Sequence, residues 1–356
     1  MSEVDTTTYP LWAEKEYLVG INYFAGWWRQ RPNKYVVDGK DWRSQYPERI
    51  ALLGCYNDQE TMDAEIIAAA ENGVDFFQML WYVEKPQRHE HSKRLNICIK
   101  QYLTSPENYR MRFVIEFCNH PPFEILEDEL WEESCDEWVE SMKHPNYLRI
   151  GGKALFKVHG FHYFIKQNDN NAAKVASCLA ILREKAELAG VGPLLIGTGV
   201  MPEGVPGEDV KNFLEAFDYL ATYMDVPDLP ISENDYPYEL LLRQAEIGWK
   251  NYAEKSLLPY MPYVPAGWNP RPWKDKRPSF SFPDRNQWEK ALNGAKQALD
   301  THIRLRLPDG TEPGQKIFNI YAWNEFGEGG IVAPTTGDDW MKLEVIKDTF
   351  GTLETT

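Results

Sequence analysis

The run K-I-F-N-I-Y-A-W-N-E, residues 316–325, reads as a buried β-strand that ends in polar residues, apolar through Tyr321 and then carrying Trp323, Asn324 and Glu325. Seven similar runs precede it. They are Y-L-V-G-I-N-Y-F (17–24), D-F-F-Q-M-L-W-Y (75–82), R-F-V-I-E-F-C-N (112–119), A-L-F-K-V-H (154–159), L-L-I-G-T-G-V (194–200), Y-L-A-T-Y-M (219–224) and Y-M-P-Y-V-P-A-G-W (260–268). Between them the pattern turns helical near 59–72, 92–102, 130–142 and 172–189, from about Asp209, and over 239–254 and 284–300, with a closing helix after Asp339. Strict alternation forces parallel pairing through right-handed crossovers. Eight units with no G-x-G-x-x-G after the first strand and no P-loop favour closure over an open nucleotide-binding sheet. The expected fold is α/β, a single (β/α)8 TIM barrel spanning residues 1–356 with long loops after strands one and seven.

Composition narrows the class of ligand. Of 356 residues, 43% are hydrophobic, enough for a sizeable core, and the net charge of −16 argues against nucleic acid or an anionic membrane surface as partner. No apolar stretch approaches the roughly 18 residues of a membrane span. The N-terminus M-S-E-V-D-T-T-T-Y-P has neither a basic nor an apolar leader region, so the chain as written reads as cytoplasmic; a removed leader, in a periplasmic or secreted protein, gives the same picture. The five cysteines, Cys55, Cys98, Cys118, Cys135 and Cys178, are odd in number and scattered, which favours buried free thiols over disulfides or zinc. Thirteen Trp and nineteen Tyr exceed ordinary core needs, and such rings line sites that grip the apolar faces of sugars.

In a (β/α)8 barrel the chemistry sits at the C-terminal ends of the strands, so polar residues there become candidates. The candidates for substrate binding are Asn22, Tyr23, Trp81, Tyr82, Glu116, His159, Tyr223, Trp268, Arg271, Trp323 and Asn324. Glu325 and Glu328 are the candidate catalytic pair, because cleaving a glycosidic bond takes two carboxyls, one to protonate the leaving oxygen and one to act as nucleophile or base. Extended backbone would hold them about 10 Å apart. A turn through Gly327, Gly329 and Gly330 brings them toward the roughly 5–9 Å that two-carboxyl mechanisms use. Glu116, inside the apolar F-V-I-E-F, needs a partner or a function, and a structural pair with Lys157 is the alternative to substrate contact. His120 in H-P-P reads as loop shaping and Asp225 as a loop cap. No metal spacing joins His159 and His162 to other ligand types, and neither metal nor cofactor is expected.

Six stretches together resemble the glycoside hydrolase family 99-like and WbsX-like group. They are V-G-I-N-Y-F (19–24), Y-P-E-R-I-A-L-L-G-C-Y-N-D (46–58), N-G-V-D-F-F-Q-M-L-W-Y (72–82), H-P-N-Y-L-R-I-G-G-K-A-L-F (144–156), G-W-N-P-R-P (267–272) and A-W-N-E-F-G-E-G (322–329). The resemblance implies a (β/α)8 barrel acting on an oligosaccharide or polysaccharide, endo-α-mannosidase-like, with retention of configuration. It further implies that Glu325 deprotonates the sugar's own 2-hydroxyl, that Glu328 serves as acid and then base, and that Glu116 contacts substrate. The family's Glu-Trp-His-Glu segment keeps its spacing here as Glu325-Phe326-Gly327-Glu328, with Phe326 for Trp and Gly327 for His. Those departures bear on sugar specificity more than on reaction type. A carbohydrate-binding barrel that does not cleave its ligand, and a glycosyltransferase of glycan assembly, are the competing readings.

Overall fold

The computed structural model describes residues 15–201 and 204–351, so the leader reading of residues 1–10 lies outside the described residues. Eight parallel strands form the central sheet. They are β1 (Tyr17–Tyr23), β2 (Phe76–Trp81), β3 (Arg112–Phe117), β4 (Lys153–Val158), β5 (Leu194–Gly199), β6 (Tyr219–Ala221), β7 in two pieces (Tyr260–Met261 and Tyr263–Pro265) and β8 (Gln315–Tyr321). Each pairs in parallel with its successor, and β8 returns to β1 through Tyr17↔Lys316 to Ile21↔Ile320. Closure is visible at β7. Its first piece pairs with β6 through Tyr260↔Leu220, and its second with β8 through Tyr263↔Asn319. Pro262 separates the pieces because it has no N–H to give the ladder, yet its carbonyl still accepts the Asn319 N–H at 2.9 Å.

The helices ring the strands: α1 (Gln59–Glu71), α2 (Ile97–Thr104), α3 (Asp128–Met142), α4 (Ala172–Leu188), α5 (Lys211–Leu214), α6 (Tyr238–Lys255), α7 (Arg285–Thr301) and α8 (Met341–Phe350). Asp58 caps α1 by accepting the Thr61 N–H, and Asp284 opens α7 with a capping box completed by Gln287. The loops after β1 and β7 are long, as expected. The fifth helix is a single turn, a separate short helix (Phe161–Gln167) precedes α4, and β7 and β8 stop earlier than the apolar runs that mark them.

Alternation along each strand sends one set of side chains into the barrel and the other into the layer beneath the helices. The interior takes large rings opposite glycines: a β-carbon on Gly197 would lie 2.2 Å from the Tyr219 ring. The outer layer holds much of the aromatic excess. Trp138 of α3 packs 5.0 Å from Trp81 and 4.9 Å from Phe156, while Trp27, Tyr35 and Trp42 build a separate buried cluster in the loop after β1. Most of the rings that suggested a sugar site from composition alone are therefore packing. All five cysteines are free, three of them buried and two half-buried. No helix among the described residues is long and apolar enough to cross a membrane.

Candidate active site

Beyond Tyr321 the chain leaves the barrel and forms a hairpin, Asn324–Glu325 against Gly330–Ile331. The N–H groups of Glu328 and Gly329 both donate to the Glu325 carbonyl, at 3.0 and 2.8 Å. This tight turn, with Gly329 at φ +87°, returns Glu328 to the same side as Glu325. The hairpin is held from both flanks. The Phe24 N–H donates to Asn324 Oδ1 (2.9 Å), the Trp27 indole donates to the Asn324 carbonyl (2.8 Å), and the buried Arg49 guanidinium donates to the carbonyls of Phe326 and Asn269.

Both carboxyls line a cavity of about 550 Å3 at the C-terminal mouth of the barrel. Tyr223 O–H donates to Glu325 Oε1 at 2.8 Å, and Glu325 Oε2 is buried with no partner among the described residues. Burial, then the adjacent Glu328 charge, push the Glu325 carboxyl well above the usual carboxylate range, against the opposing pull of Tyr223. Tyr321 O–H donates to Glu328 Oε2, and Arg277 Nη2 lies 3.8 Å from its Oε1. Burial raises the Glu328 carboxyl too, with Tyr321 and Arg277 opposing. Two neighbouring carboxyls that both resist ionisation titrate as a pair, one proton shared between them over an intermediate pH range.

Of the residues singled out in the sequence, Tyr82, His159, Tyr223, Trp268, Glu325 and Glu328 meet around this cavity. The others do not. Tyr23, Trp81 and Trp323 point into the outer layer. Tyr23 donates to Glu65 of α1 at 2.6 Å, Trp81 donates to Glu137 of α3 at 2.9 Å, and Trp323 packs 5.3 Å from Phe77. Arg271 is turned toward Asp235 at 2.9 Å, and Asn324 is the hairpin brace described above.

Glu116 and Asn22 lie below the cavity, inside the barrel. Glu116 is fully buried, and both its oxygens are occupied. Oε1 accepts from Lys157 (2.9 Å) and lies 2.7 Å from His159 Nδ1; Oε2 accepts from Asn22 (3.0 Å) and Gln78. Burial alone would raise this carboxyl, but Lys157 and His159 override it and hold it at about 2. With Glu116 ionised, His159 must present Nδ1–H to it, leaving Nε2 for the cavity. Glu116 thus reaches the cavity only through His159, and the pairing with Lys157 is the one the structure contains.

Three contributors carried no strand-end signal. Arg277 stacks over Trp268 at 4.4 Å and faces Glu328; Lys34 arrives from the loop after β1; Trp273 comes from the loop after β7. Trp273 also explains Gly327. A β-carbon there would lie 2.0 Å from the indole, so the ring occupies the space a larger residue at 327 would need. Among the described residues, no group of three His, Cys, Asp or Glu side chains is arranged to hold a metal ion.

The barrel is similar to the GH99 endo-alpha-mannosidase of Bacteroides thetaiotaomicron, solved alone and with bis-tris-propane. The TM-score is 0.55 in both cases, at 15% and 16% identity, covering 93% of this chain and 97% and 95% of that one. It is also similar to a chitinase from the same organism (TM-score 0.51, 10% identity, 95% of this chain and 98% of that one). An exo-beta-1,4-mannosidase from an Opitutaceae bacterium matches at TM-score 0.53 and 10% identity, covering 94% of this chain and 59% of that one. At these identities the likeness is one of fold. No protein-family model and no curated protein sequence matches the chain.

Proposed function

We propose that the protein is a glycoside hydrolase that cleaves an α-linked glycan or polysaccharide with retention of configuration, in the manner of an endo-α-mannosidase. The observation that carries this reading is the pair of carboxyls, Glu325 buried and Glu328 half-buried, three residues apart in one cavity and each held by its own tyrosine. The barrel it shares with the endo-alpha-mannosidase and the other carbohydrate-active enzymes above supports the same substrate class.

The division of labour follows from the resemblance in the sequence. Glu325, as carboxylate, takes the proton of the sugar's 2-hydroxyl; that oxygen attacks the anomeric carbon as the bond to the leaving oxygen breaks, and Glu328 gives its proton to that oxygen. The product is a 1,2-anhydro sugar. In the second step Glu328 takes a proton from water, the water oxygen opens the strained ring at the anomeric carbon, and Glu325 returns its proton to the 2-oxygen. A raised carboxyl makes Glu325 a stronger base once it is ionised, and burial favours the protonated form of Glu328 that a general acid needs. The single unpartnered oxygen of Glu325 is the atom free to accept the hydroxyl. Glu325→Gln and Glu328→Gln are each expected to lower turnover of an α-linked glycan by about 10²–10⁴-fold with the circular dichroism spectrum unchanged. Wild-type turnover in both variants would discard the assignment.

A further inference from the structure

The whole chain is acidic, with 54 Asp and Glu against 38 Lys and Arg, yet the mouth of this cavity is set with cations and imidazoles. Lys34, Arg277, His89, His120, His159 and His162 all line it, four of the seven histidines in the protein among them. Arg277 is partly spent: it is ion-paired with Asp275 at 2.6 Å and lies 3.8 Å from Glu328. Lys34 is not. Its ammonium sits 5.2 Å from the centre of the Trp273 ring and 5.9 Å from that of Phe24, and it forms no ion pair among the described residues.

The position of Lys34 is built rather than incidental. Its backbone carbonyl accepts the indole N–H of Trp42 at 2.9 Å and that of Trp273 at 3.1 Å, so two buried or half-buried rings from different loops fix the residue over the cavity. In a chain with so many spare carboxylates, a lysine whose backbone is pinned over a cavity and whose ammonium has no carboxylate within ion-pair distance among the described residues marks a place for an anion that arrives from outside. Local charge of this kind also overcomes the repulsion that a net −16 protein imposes on an anionic ligand.

Building on the glycosidase reading, we propose that the substrate is an anionic glycan whose acidic group, a uronate carboxylate or a sulfate ester, is received by Lys34 over the Trp273 ring, with Arg277 lining the same cavity. A charge-assisted contact of this type is worth enough to change affinity by about tenfold or more. Another role is open to the same lysine, that of holding down the carboxyls of Glu325 and Glu328 by its charge alone. The two differ in what they discriminate, since a purely electrostatic role on the enzyme's own carboxyls affects neutral and acidic substrates alike.

The test uses three oligosaccharides of the same linkage that differ only in one residue, a neutral hexose, its uronate and its 6-sulfate. Turnover and calorimetric binding are measured for wild type and for Lys34→Met, which keeps the apolar stem against the rings. The expected result is kcat/KM about tenfold higher on an acidic member than on the neutral one, lost in 0.5 M salt. Lys34→Met should raise KM about tenfold on that member and far less on the neutral one. Whether uronate or sulfate shows the effect identifies the acidic group. Equal turnover of neutral and acidic members, or a Lys34→Met loss equal on all three, overturns the proposal and leaves the glycosidase reading standing. If none of the three is cleaved, the glycosidase reading is what fails for this linkage set, and binding decides the anion site. Tighter binding of an acidic member that Lys34→Met weakens supports the site, and equal or absent binding refutes it.

Discussion

Glu325 carries the most consequential single placement in the molecule. Because its folded pKa is raised by burial and by Glu328, its favourable contribution to stability is complete below the ordinary carboxylate range and is lost as pH rises through the folded value. At neutral pH the pair is a cost to the fold. Glu325→Gln should therefore raise the melting temperature at pH 7–8, by on the order of 1 kcal/mol or about 2 °C, while changing it little at pH 4. Thermal melts across that range check the sign, and equal melting of variant and wild type at neutral pH would contradict it. Gly327 is the second residue-scale case. The sequence shows a glycine where the resembled family has His, but only the structure shows why, since the Trp273 ring comes from a loop more than fifty residues earlier in the chain. Gly327→Ala should destabilise by about 1–3 kcal/mol through overpacking against that ring, measured by urea unfolding.

At the scale of elements, the apolar runs place all eight barrel strands, because period and run length report burial directly. They overshoot at the ends, where burial persists but pairing stops. The 316–325 run looks like one strand yet is β8 followed by half of a hairpin, since Trp323 and Asn324 are buried by packing on Phe77 and Phe24 rather than by the barrel ladder. The same limit decided which arginine faces the site. Arg271 lies nearer the strand end, but the loop folds so that Arg271 turns to Asp235 while Arg277 returns to Trp268, and no local pattern encodes a loop's return path. Tyr23, Trp81 and Trp323 read in the sequence as substrate-binding candidates at strand ends, yet they face outward into the helix layer, because the inner or outer face depends on register. The hairpin yields its own expectation. Asn324→Ala removes the acceptor of the buried Phe24 N–H and should cost about 1–3 kcal/mol. It should also lower kcat more than it raises KM, because it loosens the segment bearing both carboxyls. Chemical denaturation and steady-state kinetics on the same preparation separate the two effects.

For the whole molecule, the network at Glu116 ties β1, β2, β3 and β4 together inside the barrel through Asn22, Gln78 and Lys157. Its folded pKa of about 2 lies below the unfolded value, so its contribution is present above the ordinary carboxylate range and is lost as pH falls from there toward 2. Glu116→Gln should cost about 3–5 kcal/mol at neutral pH, because it leaves the Lys157 ammonium buried without its counter-charge. The gap between variant and wild type should close as the pH approaches 2, which denaturant titrations at several pH values read out. The sequence offered this pair as one of two readings, and the register Glu116↔Lys157 brings its two members within 2.9 Å.

The claim on which the rest depends is that Glu325 and Glu328 divide the chemistry of one cleavage. It is tested most directly by first-turnover kinetics on one α-linked glycan carrying either a sugar or a 2,4-dinitrophenyl leaving group, which needs no proton to depart. Glu328→Gln is expected to lose about 10²–10⁴-fold on the sugar leaving group but to release dinitrophenolate at close to the wild-type rate, whereas Glu325→Gln is slow on both. Wild-type cleavage of the sugar leaving group by both variants, or an equal loss by both on the dinitrophenyl substrate, would contradict it.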